Sequence, residues 1–239
     1  MRNLPFGALT TLDTPAASMI KGPVSSPRSF MFVSLLIWGI GIASAAADEK
    51  PVLILGDSLS AGYGISIEES WPSLLEKRMH EEGYRQQVVN ASISGDTTRG
   101  GARRLGSLIV KHNPGTVVIA LGANDGLRGI KVAEIKKNLT QAIDTAKLAG
   151  ASVVLVKVRI PPNYGPPYID AFEEVFDQLG TDHEILYAPF MLKRFAANQN
   201  AFQADGLHPT ADVQPLILDT LWPSIHEAID SSGGLEEFF

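Results

Sequence analysis

A serine that directly follows a short apolar run is the first residue of this sequence with the placement of a nucleophile. Val52–Leu55 is a run of the kind that forms buried strands, and Gly56, Asp57 and Ser58 come immediately after it. If a helix starts at this turn, its free N–H groups favour negative charge beside the hydroxyl. Ser58 would still need a base, because a free hydroxyl is a weak nucleophile. On this stretch alone, a helix-capping role for Ser58 stays open.

An aspartate and a histidine three residues apart, Asp205 and His208 in the stretch DGLHP, offer such a base. Within one turn of chain, the carboxylate can hold the imidazole in one tautomer and one orientation, so that His208 takes the proton from Ser58. A solvated surface turn and a metal site are the alternatives. The histidines of the chain show no paired spacing, so the sequence predicts no metal.

Two further turn sequences offer hydrogen-bond donors for an oxyanion. Gly95, in SGDTT, allows a close approach to its backbone N–H, and Asn124, in LGANDG, carries a side-chain amide. Together with the N–H of Ser58 they would direct three donors at one negatively charged oxygen. Each stretch alone is an ordinary turn sequence. Their common position after a predicted strand favours a shared site.

Short apolar runs alternate with longer helical patterns along the chain, which is typical of a doubly wound α/β fold. The predicted strands are Val52–Leu55, Val88–Ser92, Val117–Leu121, Val153–Val158 and Ile185–Tyr187. The predicted helices are Glu68–Glu82, Thr98–His112, Lys131–Leu148, Tyr168–Leu179 and Ala211–Ile229. The strand runs lack polar and apolar alternation, which indicates a parallel sheet covered on both faces. Ligands of such sheets bind outside the carboxyl ends of the strands, where Ser58, Gly95 and Asn124 all lie.

The blocks GDSLS, SGDTT, LGANDG and DGLHP occur in the order found in the SGNH, or GDSL-type, hydrolase family, which this sequence resembles. Longer stretches such as ILGDSLSAGYG and PPNYG are most similar to its periplasmic thioesterase I, lysophospholipase L1 and arylesterase branch. The resemblance implies a flavodoxin-like three-layer α/β/α sandwich with a five-stranded parallel sheet. It also implies a catalytic triad of Ser58, His208 and Asp205, an oxyanion hole from Ser58, Gly95 and Asn124, and no cofactor.

The predicted activity is hydrolysis of carboxylic ester or thioester bonds through an acyl-enzyme on Ser58. The expected substrates are small acyl esters, acyl thioesters or lysophospholipids. A carbohydrate O-deacetylase on the same fold and a non-catalytic binding module are the alternatives. Apart from Tyr63 and the segment 159–170, few aromatic residues lie near the four blocks, which favours an acyl groove over a glycan site. A binding module has no need of a serine, an imidazole and a carboxylate together.

The segment Arg159–Asp170, RIPPNYGPPYID, follows the fourth predicted strand and is expected to overhang the site as a loop. Its residues Ile160, Tyr164 and Tyr168 are predicted to line an acyl-binding groove. Two pairs of prolines would stiffen the loop, and Gly165 would provide a hinge. A rigid connector with surface tyrosines is the alternative.

Residues 1–47 predict a secretory signal peptide that is not part of the fold. Phe30–Ala43 is an apolar run, shorter than the ~20 residues that a membrane-spanning helix needs. Lys21 and Arg28 precede this run and small residues follow it, which is the pattern of a cleaved leader. Translation from Met19 would give a more compact leader.

The remainder of the chain is expected to be one periplasmic or secreted hydrolase domain over residues 48–230, with a frayed tail over residues 231–239. We expect a monomer with no stable membrane anchor after cleavage of the leader. The net charge is −6 and the sequence has no long basic run, which disfavours a nucleic-acid partner. The chain has no cysteine, which excludes disulfides and thiolate chemistry.

Overall fold

The computed structural model describes residues 49–233, which contain a five-stranded sheet in the order β2-β1-β3-β4-β5. Every neighbouring pair of strands is parallel. This strand order is that of flavodoxin-like doubly wound folds. The strands are β1 Val52–Gly56, β2 Val88–Asn90, β3 Thr116–Ala120, β4 Ser152–Val156 and β5 Leu186–Ala188.

Helices cover both faces of this sheet and make the outer two layers. They are α1 Ser58–Ala61, α2 Trp71–Glu81, α3 Thr98–His112, α4 Ala123–Leu127, α5 Val132–Leu148, α6 Pro166–Asp182 and α7 Gln214–Gly233. Helices α2 and α7 lie on one face, and α3, α5 and α6 lie on the other. The predicted α/β/α sandwich with a five-stranded parallel sheet is confirmed.

Alternate residues of the central strands pack into two separate apolar cores. In β1, Val52 and Ile54 join the core beneath α2 and α7, whereas Leu53 and Leu55 join the core beneath α3, α5 and α6. All five residues of β1 and of β3 are buried. Burial on both faces explains why these strands are apolar throughout and show no alternation.

Helix α5 begins one residue later than predicted, at Val132, and three other helices begin two or three residues away from their predicted starts. Helix α2 begins at Trp71 because Ser70 is extended and the preceding residues form a separate 3-10 turn. Helix α6 begins earlier than predicted, at Pro166, because proline is tolerated at the first helical position. Helix α7 begins at Gln214, after a 3-10 turn. The proline pair at 166 and 167 therefore opens a helix and does not stiffen a loop.

Two short helices, α1 and α4, were not predicted, and both begin directly after a central strand. Helix α1 follows β1 and starts with Ser58. Helix α4 follows β3 and has Asn124 as its second residue. Each is under two turns long, which is too short for a helical period to show in the sequence. Their effect is to bring both residues to the carboxyl edge of the sheet.

The predicted leader over residues 1–47 lies outside the described residues and stays a prediction. Helix α7 continues through Ser231 and Ser232 to Gly233, while the rest of the predicted tail also lies outside the described part. Between residues 49 and 233, no helix combines the length and the hydropathy needed to cross a membrane.

Candidate active site

Ser58 is held at the first position of helix α1 by the residues on either side of it. The carboxylate of Asp57 caps the helix and accepts a hydrogen bond from the Leu59 N–H at 3.1 Å. A side chain at Gly56 would be only 2.7 Å from the Cβ atom of Ser60, so only glycine fits where the strand meets the helix. This close packing aims the Ser58 hydroxyl out of the sheet edge.

His208 and Asp205 complete a hydrogen-bonded chain that starts at Ser58. The Ser58 Oγ and His208 Nε2 atoms are 2.9 Å apart, although the two residues are separated by 150 positions. The other ring nitrogen, His208 Nδ1, is 2.6 Å from Asp205 Oδ2. A carboxylate at Nδ1 stabilises the tautomer that carries its proton there, which leaves Nε2 free to accept the proton of the hydroxyl.

The turn between Asp205 and His208 is organised by the same aspartate. Asp205 Oδ1 accepts hydrogen bonds from the backbone N–H groups of Leu207 and His208, at 2.9 and 3.0 Å. These bonds and the bond to the imidazole stabilise the charged carboxylate and lower the pKa of Asp205 to about 2. Asp205 is therefore an anion at neutral pH.

Gly95 lies in a tight turn that exposes its backbone N–H. The N–H of Asp96 donates to the Ile93 oxygen at 3.0 Å, and Gly95, at the third position of this turn, has a φ of 80°. A hydrogen-bonded turn with positive φ at that position is a type II turn, which favours glycine there. Within residues 49–233, the N–H groups of Ser58 and Gly95 have no protein acceptor. Both are available to a ligand.

The Asn124 amide is oriented by two oxygen atoms. Its Nδ2 donates to the Asp96 backbone oxygen at 3.0 Å and lies 3.4 Å from Asp57 Oδ2. The second contact is long for a hydrogen bond, so that N–H can turn toward a stronger acceptor at little cost. Asn124, Gly95 and Ser58 line the same cavity.

Two buried carboxylates stand behind these donors. Burial raises the pKa of Asp57 to about 6, against the hydrogen bond from Leu59 that lowers it. Burial also raises the pKa of Asp125, whose oxygens accept from the N–H and the hydroxyl of Thr98 at 2.9 and 2.7 Å. Asp125 thereby ties the start of α4 to the start of α3. Neither aspartate was predicted as a site residue.

A cavity of about 730 Å³ lies over the Ser58 hydroxyl. Most of its lining side chains are apolar, and they fall into two groups that are separate in the sequence, called here the two walls of the cavity. The first wall comprises Leu127, Val158, Ile160, Pro161 and Pro162, and the second comprises Phe190, Met191, Leu192, Ala196 and Phe202. The cavity therefore suits an apolar group attached to a polar reacting centre.

The cations that reach this cavity are neutralised by neighbouring acids. Lys157 Nζ lies 2.8 Å from Asp177 Oδ1, and Arg159 Nε lies 3.0 Å from Glu173 Oε1. These ion pairs leave little net positive charge at the cavity for binding an anionic group of a substrate.

The three residues predicted to line an acyl groove fall in different places. Ile160 is buried and lines the cavity. Tyr164 and Tyr168 do not line it, because their hydroxyls donate to the backbone oxygens of Leu127 and Ile130, at 2.8 and 2.7 Å. Both tyrosines fasten the segment after β4 to the end of α4.

Tyr63 lines the cavity, although it was not predicted from the sequence as a site residue. Its ring centroid is 4.4 Å from that of His208, and 52% of its surface is exposed. The only signal available was its position five residues after Ser58 in the stretch SLSAGYG.

In the described part of the chain, no group of three or more acidic or histidine side chains is placed to hold a metal ion.

Comparison with known proteins identifies the family of this chain. The GDSL-like Lipase/Acylhydrolase family matches residues 54–214. The "Arylesterase" of Vibrio mimicus is 44% identical over 187 residues, which cover 78% of this chain and 93% of that protein. The "Thioesterase 1/protease 1/lysophospholipase L1" of Escherichia coli K12 is 40% identical over 190 residues, covering 80% and 87%.

A solved structure extends the similarity to three dimensions. The crystal structure of TesA superposes with a TM-score of 0.72 at 43% identity, covering 74% of this chain and 99% of that one. The chain therefore belongs to the GDSL-like lipase/acylhydrolase family and is a hydrolase. The family prediction made from the four sequence blocks is confirmed.

Proposed function

We propose that this hydrolase cleaves carboxylic esters and thioesters of acyl groups by a serine mechanism. The observation that carries the proposal is the chain of contacts from Ser58 Oγ to His208 Nε2 at 2.9 Å and from His208 Nδ1 to Asp205 Oδ2 at 2.6 Å. A hydroxyl, a base and an orienting carboxylate in this sequence are the components of an acyl-transfer site. The names of the relatives, arylesterase and thioesterase 1/protease 1/lysophospholipase L1, support the same class of substrate.

In the proposed reaction, Ser58 Oγ attacks the carbonyl carbon while its proton moves to His208 Nε2. The carbonyl oxygen becomes an oxyanion that accepts from the N–H groups of Ser58 and Gly95 and from the Asn124 amide. Asp205 stabilises the imidazolium. His208 then gives its proton to the leaving alcohol or thiol, which departs and leaves an acyl group on Ser58. Water, deprotonated by His208, releases the acid and restores the hydroxyl.

The apolar walls of the cavity support an acyl substrate over a sugar ester. Ile160 belongs to one wall, and we propose that it contacts the acyl chain. The leader composition supports export, and we propose that the domain acts in the periplasm or outside the cell.

A substrate panel with the Ser58→Ala variant tests the function. We expect wild type to hydrolyse p-nitrophenyl esters, an acyl-CoA thioester and lysophosphatidylcholine at rates well above its rate on acetylated xylan. Ser58→Ala should lose at least about 10³-fold in kcat on every substrate, because the nucleophile is gone. Near-normal turnover by purified, folded Ser58→Ala would refute the mechanism. Preference for acetylated xylan would instead favour an O-deacetylase.

A further inference from the structure

The Ser58–His208 contact joins two segments of very different character. Ser58 is anchored at the end of a fully buried strand, whereas His208 lies on a segment of turns between β5 and α7. A base displaced by about 1 Å from its nucleophile can cost roughly 100-fold in rate. Something in the fold must therefore hold the two segments at a fixed separation.

The backbone of Gln203 is paired with that of His208. The Gln203 N–H donates to the His208 oxygen at 2.8 Å, and the Thr210 N–H donates to the Ala201 oxygen at 2.9 Å. Between these bonds, Phe202 and Pro209 form an isolated antiparallel bridge. Residues 201–203 and 208–210 therefore make a short two-stranded ladder, which fixes the backbone that carries the imidazole.

The side chain of Gln203 ties this ladder to the segment of the nucleophile. Its amide nitrogen, Nε2, donates to the Tyr63 oxygen at 2.8 Å and to the Pro209 oxygen at 3.0 Å. The Tyr63 N–H donates in turn to the Ser58 oxygen at 3.3 Å. With the Ser58–His208 contact, these bonds close a ring that passes through both reacting side chains.

The end of the Gln203 side chain packs closely against Gly64. A side chain at Gly64 would overlap the Gln203 amide, and Gly64 has a φ of 75° that glycine adopts most easily. On the neighbouring residue, the Tyr63 ring packs against the imidazole of His208. The turn at 63–64 thus meets the base through both an aromatic ring and a hydrogen-bonded amide.

We propose that Gln203 is a positioning residue that sets the separation between the Ser58 hydroxyl and the His208 imidazole. Gln203 does not line the cavity and makes no contact with the Ser58 hydroxyl or the imidazole nitrogens. It acts by using both hydrogens of one amide to link the two segments. This inference rests on the proposed serine mechanism. If Gln203 has this role, replacing it should lower turnover and leave substrate binding intact, because other residues line the cavity.

The test compares Gln203→Ala and Gln203→Glu with wild type and with Gln199→Ala, a neighbouring glutamine whose side chain is exposed. We expect Gln203→Ala to lower kcat about 10- to 100-fold with KM within about threefold, as for a misplaced base. Gln203→Glu should lose at least as much, because its carboxylate would face two carbonyl oxygens. The rate at which a fluorophosphonate labels Ser58 should fall in parallel, and Gln199→Ala should match wild type.

A kcat of Gln203→Ala within twofold of wild type would overturn the inference. The inference would also be overturned if activity fell only because less protein was folded. The signs of that outcome are a large drop in unfolding temperature and a normal kcat per labelled site. The Ser58→Ala variant distinguishes a failure of the Gln203 proposal from a failure of the serine mechanism. An inactive Ser58→Ala beside a fully active Gln203→Ala refutes the role of Gln203 alone.

Discussion

Two aspartates of the site, Asp57 and Asp205, lie in opposite surroundings. Asp57 is 2% exposed at the end of β1, and burial raises its pKa to about 6. Asp205 lies on an exposed turn, where bonds from the backbone and the imidazole lower its pKa to about 2. The first carboxylate is part of the packed core, and the second is held almost entirely by its immediate neighbours in sequence.

The two sides of the site therefore depend on different kinds of interaction. On the side of Asp57, the positions of Ser58, Gly95 and Asn124 depend on the sheet and on contacts between distant segments. On the side of Asp205, short-range bonds organise the turn, and only a few contacts connect it to the rest of the fold. Damage to the first side should therefore affect both stability and activity, whereas damage to the second should affect activity with little change in stability.

The replacement Asp205→Asn gives the largest effect expected from this comparison. The asparagine can still accept from the backbone, but its amide can donate to His208 Nδ1 and favour the tautomer with a proton on Nε2. That tautomer cannot take the proton of Ser58, so kcat should fall by about 10⁴. The unfolding temperature should stay within a few degrees of wild type, because the side chain is exposed.

Steady-state kinetics and thermal unfolding check this outcome, with the exposed Asp170→Asn on the outer helix α6 as the matched control. Retention of more than a tenth of wild-type kcat would contradict the role of Asp205. A loss of stability as large as that of a core variant would contradict the comparison itself.

The matching change on the buried side, Asp57→Asn, should have a smaller effect on turnover. The new amide can keep the cap on the Leu59 N–H, but its nitrogen would face the Asn124 nitrogen, so two donors would oppose each other. The Asn124 amide would then be misaligned, and kcat should fall about 10- to 100-fold, less than complete removal of an oxyanion donor. Unchanged kcat would show that Asp57 does not orient Asn124.

The smallest effect expected is on the pH dependence of stability. Because the native pKa of Asp57, about 6, exceeds its ordinary value of 3.8, the folded state binds this proton more tightly than the unfolded state. This contribution makes wild type less stable as pH rises from 4 to 6, by about 3 kcal/mol at most. Asparagine does not titrate, so the free energy of unfolding of Asp57→Asn relative to wild type should rise across that range.

Chemical denaturation at pH 4, 5, 6 and 7 measures this difference. Parallel stability curves for wild type and Asp57→Asn would contradict the raised pKa. Asp205 provides the contrast. Because its pKa is lowered, its contribution to the free energy of unfolding stays constant above about pH 4 and is lost only as the pH falls below about 4.

The fold and the family were predictable because their signals are local. The buried strands β1, β3 and β4 are recognisable as short apolar runs, and the four sequence blocks follow the strands and the final turn. Helices α1 and α4 were missed because four or five residues carry no helical period. The starts of α2 and α6 are set by single residues, Ser70 and Pro166. The spacing of apolar residues in the sequence does not indicate the backbone conformation of either residue.

The contacts between distant segments were the least predictable part of the site. The sequence places Asp57 beside Ser58 but gives no indication that its second oxygen faces Asn124. Tyr164 and Tyr168 were predicted to line a ligand groove, yet their hydroxyls donate to backbone oxygens at the last residue of α4 and just beyond it. Gln203 lies two residues before the DGLHP block, and only the folded chain brings it to Tyr63.

The most direct test of the central claim is to label the protein with a fluorophosphonate and locate the adduct by peptide mass spectrometry. A hydroxyl activated by His208 and supported by the three donors should react first. We expect one adduct per chain, on Ser58, and we expect it to form much more slowly in Asp205→Asn. An adduct on a different residue, or an active protein whose Ser58 stays unlabelled, would contradict it.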